Sequence, residues 1–199
     1  MALEAPTRAA PLAALTNLPN ALTLTRIAAI PMLVWLLHEP TRSTSVAAFI
    51  VYLIASATDF LDGYLARRYG LITPLGKLLD PLAYKLLVVS ALLMIAAAHR
   101  QPTIPAWLLV IIIGRELAVT GLRSIAASEG IVMGAEGTGK LKMILQTIGV
   151  SALIVHYAYF GVSFYAVGMA TLVVATAVGL WSAVEYHVIV FRKMTGRQP

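Results

Sequence analysis

Polar positions interrupt this chain at nearly regular intervals and leave six long apolar stretches, at residues 18–37, 46–68, 76–98, 104–127, 141–160 and 164–191. Each is close to the roughly 20 residues that a helix needs to cross the hydrocarbon core of a bilayer. The pattern therefore predicts an all-α integral membrane protein with six transmembrane helices. The breaks carry turn chemistry: His38-Glu39-Pro40, residues 70–74, Arg100-Gln101-Pro102, residues 130–139, and Gly161. Residues 1–17 are predicted as an N-terminal tail or surface helix, 18–193 as one six-helix membrane domain, and 194–199 as a C-terminal tail. The first stretch carries Arg26 and is followed by no convincing small-residue cleavage site, which argues for a span and against a cleaved signal peptide.

Composition agrees with that pattern. Of the 199 residues 59% are hydrophobic and only 12% charged, and the mean hydropathy is +0.83, far from the roughly 25% charge of soluble domains. The absence of cysteine excludes disulfides, thiolate nucleophiles and Cys-ligated metals. A net charge of +6 could suggest nucleic acid, but the basic residues flank apolar spans and form no soluble basic face, so no nucleic-acid partner is expected. Anionic lipid and phosphorylated small molecules fit better. Among the fifteen basic residues, only Arg42 and Arg100 fall in the loops after the first, third and fifth stretches. By the positive-inside rule both termini then face the cytoplasm. Most carboxylates sort to that same side, which makes the inner half of the membrane polar and the outer half nearly plain hydrocarbon.

The densest chemistry lies in Asp59-Phe60-Leu61-Asp62-Gly63-Tyr64-Leu65-Ala66-Arg67, continuing to Gly76-Lys77-Leu78-Leu79-Asp80 and Tyr84. On a helix Asp59, Asp62, Gly63 and Ala66 share one face, with Arg67 beside it, and Gly76, Asp80 and Tyr84 repeat the geometry on the next helix. A short turn joins the two, so three carboxylates can meet. In a low-dielectric setting they repel strongly unless cations neutralise them. Hard oxygen ligands select Mg²⁺ or Mn²⁺, with substrate phosphates completing the shell.

This spacing resembles the signature of the CDP-alcohol phosphatidyltransferases, Asp-x2-Asp-Gly-x2-Ala-Arg-x8-Gly-x3-Asp-x3-Asp, and matches every fixed position except the last, where the chain has Tyr84. The resemblance implies the six-helix CDP-alcohol phosphotransferase fold, a homodimer, and two metal ions per site held by Asp59, Asp62 and Asp80. It also implies CDP-lipid contacts from Gly63, Ala66, Arg67, Thr73 and Gly76, and a general base at the position of Tyr84. Leu18-Pro19-Asn20-Ala21-Leu22-Thr23-Leu24-Thr25-Arg26 resembles the opening of the branch whose acceptor is glycerol 3-phosphate, and adds Asn20, Thr23 and Arg26 to the CDP-lipid contacts. Gly114-Arg115-Glu116, Thr120, Arg123 and Gly139-Lys140-Leu141-Lys142 resemble the same branch. Arg115, Arg123, Lys140 and Lys142 make a cationic pocket suited to a phosphomonoester dianion, although the positive-inside rule alone would also place basic residues there.

The implied reaction moves a phosphatidyl group from CDP-diacylglycerol to glycerol 3-phosphate, giving phosphatidylglycerophosphate and CMP. Phospholipid biosynthesis of this kind implies a bacterial plasma membrane with the site facing the cytoplasm and membrane lipids around it. Serine, inositol phosphate or phosphatidylglycerol as acceptor remain alternatives. Tyr84 puts a phenol, protonated at neutral pH, where the signature has a carboxylate. The loss leaves the second metal site in doubt and predicts strongly reduced activity. A single substitution in an active enzyme is preferred over a non-catalytic CDP-lipid-binding relative, since the neighbouring positions are unaltered. Gly134-Ala135-Glu136-Gly137-Thr138-Gly139-Lys140 fits G-x4-G-K, but Leu141 replaces the hydroxyl residue and no strand precedes it, so nucleotide hydrolysis is not expected. Ion transport is disfavoured because the acids cluster at one membrane face and not at the midplane.

Overall fold

Apolar runs closed by His38-Glu39-Pro40 and similar turns fold here into long helices, and Pro31 in the first and Pro81 in the third do not end them. The computed structural model describes residues 18–69, 74–130 and 137–194, and for residues 18–20, 59–69, 74–78 and 80 the backbone alone. Six helices run through them: α1 (Leu18–His38), α2 (Arg42–Tyr69), α3 (Pro74–Ala97), α4 (Ala106–Ser128), α5 (Gly137–Val155) and α6 (Phe164–Met194). A two-stranded hairpin, β1 (Ala158–Tyr159) and β2 (Val162–Ser163), joins the last two. Three stretches, Ala21–His38, Gly137–Val155 and Phe164–Met194, are long and apolar enough to cross a membrane. Arg42–Thr58 and Pro81–Ala97 are shorter apolar segments, and α4 carries Arg115, Glu116 and Arg123 along its length.

One apolar core runs through the bundle. Leu33 and Leu37 of α1, Tyr52 of α2, Leu87 and Leu92 of α3, Leu108 of α4, Leu153 and Ile154 of α5 and Leu172 of α6 are all buried in it. A smaller cluster of Val119, Ala183 and Tyr186 joins α4 to α6. The outside is apolar as well: Trp35, Trp107, Val110, Leu117 and Phe191 are each more than half exposed. A surface of that kind suits lipid and not water.

α5 and α6 approach each other closely. A Cβ on Gly168 would lie 2.8 Å from the Leu153 amide nitrogen, and one on Gly149 would lie 3.0 Å from the Leu172 amide nitrogen. Only glycine fits at both positions, the small-residue crossing common between membrane helices.

The fifth stretch ends sooner than its hydropathy predicts. His156 takes a left-handed conformation (φ 65°), which halts α5 at Val155, and Ala158 and Tyr159 pair with Ser163 and Val162. Phe160 and Gly161 both have positive φ (52° and 77°), as the tightest hairpin turns require. Arg42 and Arg100 meet at this end, their guanidinium carbons 5.2 and 6.0 Å from the Tyr157 ring centre. Arg100 Nη1 also donates to Ser45 Oγ at 3.0 Å. The helices alternate in direction, so the end of α2, the start of α3 and the start of α5 share the opposite end of the bundle.

Candidate active site

Two arms converge on that opposite end. The first consists of the last turns of α2 and the first turns of α3, which carry Asp59, Asp62, Gly63, Ala66 and Arg67 on one helix and Gly76 and Asp80 on the other. Their side chains, and that of Asn20, lie outside the described residues, as does Thr73 altogether. Arg26 and Thr23 of α1 are fully buried. Arg26 Nε donates to the Ala55 carbonyl at 3.1 Å, and Thr58 Oγ1 donates to the same oxygen at 2.8 Å. Arg26 therefore anchors α1 to the turn of α2 that immediately precedes Asp59.

Tyr84 stands one turn beyond Asp80 on α3. It is 8% exposed and belongs to the apolar core. Its hydroxyl donates to the Met143 carbonyl at 3.3 Å and lies 3.2 Å from Thr147 Oγ1, so the phenol reaches across to α5. Its ring fills volume that a carboxylate would leave empty.

The second arm is a cluster of charges between α4, α5 and α6. Arg115 Nε donates to the Gly179 carbonyl at 2.9 Å, and its Nη1 donates to Glu116 Oε1 at 2.9 Å. Lys142 Nζ pairs with the same carboxylate oxygen. Thr120 Oγ1 donates to the Glu116 carbonyl at 2.6 Å and accepts from Lys85 Nζ, which arrives from α3. Arg115, Glu116 and Lys142 side chains are nearly buried. Gly179 makes room for them, since a Cβ there would lie 3.3 Å from Lys142 Cγ and 3.5 Å from Arg115 Nε. Two cations thus pair with one carboxylate and a third stands close by on Thr120, a surplus of positive charge in a setting that tolerates little. A phosphomonoester dianion would balance it.

Of the four cations predicted for an acceptor phosphate, the structure brings Arg115 and Lys142 together, nearly buried, while Lys140 and Arg123 are exposed. Lys140 is exposed, because two helical positions apart means roughly 200° around the axis from Lys142. Arg123 is exposed too, with its guanidinium carbon 6.0 Å from the Tyr186 ring centre. Sequence reasoning missed Lys85 and Gln146 as members of this site, and quoted Glu116 within the branch motif without giving it a site role. A lysine and a glutamate inside apolar helices were the available signal. For Gln146 there was none, since its place follows from how α5 packs. Among the described residues no three His, Cys, Asp or Glu side chains are grouped to hold a metal; the three aspartates are not among those side chains.

Comparison with known proteins covers both arms. Residues 16–181 match the CDP-alcohol phosphatidyltransferase family. The CDP-diacylglycerol–glycerol-3-phosphate 3-phosphatidyltransferase of Bacillus subtilis is 41% identical over 186 residues, covering 87% of this chain and 90% of that protein. The protein of the same name from Pseudomonas fluorescens is 37% identical, covering 85% and 88%. A CMP-forming cardiolipin synthase of Oryza sativa is 32% identical, covering 86% of this chain and 56% of that protein. With the match running from the first helix into the last and including every position of both arms, the chain belongs to the CDP-alcohol phosphatidyltransferase family.

Proposed function

We infer that this protein transfers the phosphatidyl group of CDP-diacylglycerol to glycerol 3-phosphate, forming phosphatidylglycerophosphate and CMP. The names of its Bacillus and Pseudomonas relatives support the reading. The observation that carries the acceptor is the nearly buried pairing of Arg115 and Lys142 with the single carboxylate of Glu116, with the half-buried Lys85 held one residue away on Thr120. Such a surplus favours a dianionic phosphomonoester over an uncharged alcohol or a phosphodiester.

The donor set of the other arm is three carboxylates, Asp59, Asp62 and Asp80, and such ligands fit hard divalent cations, Mg²⁺ or Mn²⁺; of the two ions that the resemblance implies, the second would lack a carboxylate ligand where Tyr84 stands. When bound, these ions would neutralise the diphosphate and the charge that develops on the departing CMP. Arg67 clamps the diphosphate, and Gly63, Ala66, Thr73 and Gly76 let the CDP moiety approach the backbone. Asn20, Thr23 and Arg26 of the first helix add further contacts to the CDP-lipid. The acceptor hydroxyl attacks the lipid-bearing phosphorus, the bond to the CMP oxygen breaks, and the hydroxyl proton leaves to a base. At position 84 this chain offers a phenol in place of that base, so its activity is strongly reduced. Six spans, cytoplasmic termini, a site opening to the cytoplasm from a bacterial plasma membrane, and a homodimer complete the reading. The diacyl chains then remain in lipid while glycerol 3-phosphate and CMP exchange with water.

Restoring the carboxylate tests it. In liposomes with Mg²⁺ or Mn²⁺, Tyr84→Asp should release CMP only when glycerol 3-phosphate is present, at least about 10²-fold faster than the parent chain. The same substitution removes a buried ring, which costs roughly 3 kcal/mol or more in comparable cores, so the thermal midpoint of the metal-free protein should fall as activity rises. Tyr84 itself favours a second reading, a CDP-lipid-binding relative without turnover. That reading wins if both forms bind CDP-diacylglycerol and neither releases CMP. Equal rates in both forms would place the base elsewhere.

A further inference from the structure

One buried group remains without a partner beside the charge cluster. Gln146 is 2% exposed, and its side-chain oxygen has no hydrogen-bond partner among the described residues. It lines the same small pocket between α4, α5 and α6 as Arg115, Glu116, Lys142, Thr176 and Gly179. A buried amide acceptor left unmade costs about 1–3 kcal/mol, so a chain that keeps one here must gain elsewhere. The position gives the reason. Gln146 follows Lys142 by four positions, about one helical turn, on the same face of α5, a rise of about 6 Å, on the scale of a three-carbon polyol phosphate. From the other side of that turn the Tyr84 hydroxyl reaches the Met143 carbonyl and Thr147. The amide therefore sits at the depth of position 84, just past the cations that would take a phosphate.

Resting on the acceptor reading above, we propose that Gln146 determines acceptor specificity: its side-chain amide takes a hydroxyl of the polyol phosphate as hydrogen-bond partner while Arg115 and Lys142 hold the phosphate. Inorganic phosphate uses the cations alone, whereas glycerol 3-phosphate uses the cations and the amide. Sites built to hydrogen-bond a substrate hydroxyl discriminate through the polar group left unpaired by the wrong ligand. This divides the pocket into a charge-reading floor at Lys142 and a hydroxyl-reading wall at Gln146.

The test separates ligand contact from packing. Gln146→Leu removes an unpaired polar group at similar volume, so the ligand-free thermal midpoint should stay level or rise. A structural role would lower it. In the Tyr84→Asp background the same change should raise KM for glycerol 3-phosphate about 3- to 20-fold, the factor expected of one hydrogen bond, with KM for CDP-diacylglycerol unchanged. Affinity for inorganic phosphate, measured by calorimetry, should not move. Gln146→Met, unbranched like glutamine, repeats the measurement if the leucine variant folds poorly, and should give the same split. An unchanged KM for glycerol 3-phosphate in a well-folded variant overturns the role of Gln146 while leaving the acceptor reading intact. If Tyr84→Asp alone neither binds nor uses glycerol 3-phosphate, the acceptor reading falls and takes this inference with it.

Discussion

The two arms of the site differ in how they are built. The carboxylate arm is local in sequence: Asp59 and Asp62 lie in the last turns of α2 and Asp80 in the first turns of α3, so one short stretch of chain carries the whole set. The cationic arm is assembled from distant parts of the chain, with Lys85 from α3, Arg115 and Glu116 from α4, Lys142 from α5 and the Gly179 carbonyl from α6. A local arm tolerates shifts between helices, whereas a distributed one depends on every crossing. Chemistry follows the same division. Metal and nucleotide need a compact set of fixed oxygens, while discrimination among acceptors can be tuned by residues spread over the bundle.

The largest expected effect is on the local arm. On the proposed metal role, Asp59→Asn or Asp80→Asn would replace a charged oxygen ligand with a neutral amide, in a set where each charge counts. Mg²⁺- or Mn²⁺-dependent binding of CDP-diacylglycerol should disappear in both variants, while inorganic phosphate still binds at the cationic arm. Titration calorimetry with and without metal reads this directly. Retained metal dependence in both would show that the division between arms is drawn in the wrong place.

On the distributed arm the effect should be smaller and selective. In the Tyr84→Asp background, Arg115→Ala removes two donors and leaves Glu116 with Lys142 as its remaining partner. A charge-assisted contact is worth about 1.5–3 kcal/mol, and more where its loss leaves a buried charge unpaired, so kcat/KM for glycerol 3-phosphate should drop by about 10- to 1000-fold with CDP-diacylglycerol binding little changed. Equal losses for both substrates would make Arg115 a general structural residue.

Crossings can be tested without touching either arm. Gly168→Ala forces a methyl group to within 2.8 Å of the Leu153 amide nitrogen, and over-packing of this kind costs about 1–3 kcal/mol. The thermal midpoint should fall, and because α5 and α6 both feed the cationic pocket, affinity for glycerol 3-phosphate should weaken while CDP-diacylglycerol binding holds. Parallel weakening of both ligands would mean that the carboxylate arm also leans on this crossing.

What was legible in the sequence follows the same line. The helices agree with the apolar stretches to within a few residues, since turn chemistry such as His38-Glu39-Pro40 marks their ends. The end of α5 was not legible, because it is set by the backbone of His156 and not by hydropathy. Asp59 and Asp80 could be picked out from spacing. Lys142 could be suspected, but nothing in a one-dimensional pattern separates a cation turned toward Glu116 from one turned toward solvent. Gln146 looks like any polar residue at a helix surface until α4 and α6 close over it.

The smallest effect belongs to the pair that the sequence could not tell apart. Lys140 and Lys142 open the same helix, yet Lys142 is buried against Glu116 while Lys140 is exposed. An exposed ammonium contributes about 0–1 kcal/mol, screened by salt. In the Tyr84→Asp background, Lys140→Ala should therefore change kcat/KM for glycerol 3-phosphate by no more than about twofold at moderate ionic strength, and the difference should fade as salt is added. Lys142→Ala removes a desolvated partner of Glu116, and its effect should be at least about tenfold and nearly independent of salt. The ratio between the two variants measures how far the pocket's floor is shielded from water. If Lys140→Ala proved as damaging as Lys142→Ala, the start of α5 would have to turn on binding, bringing both lysines to the phosphate in sequence.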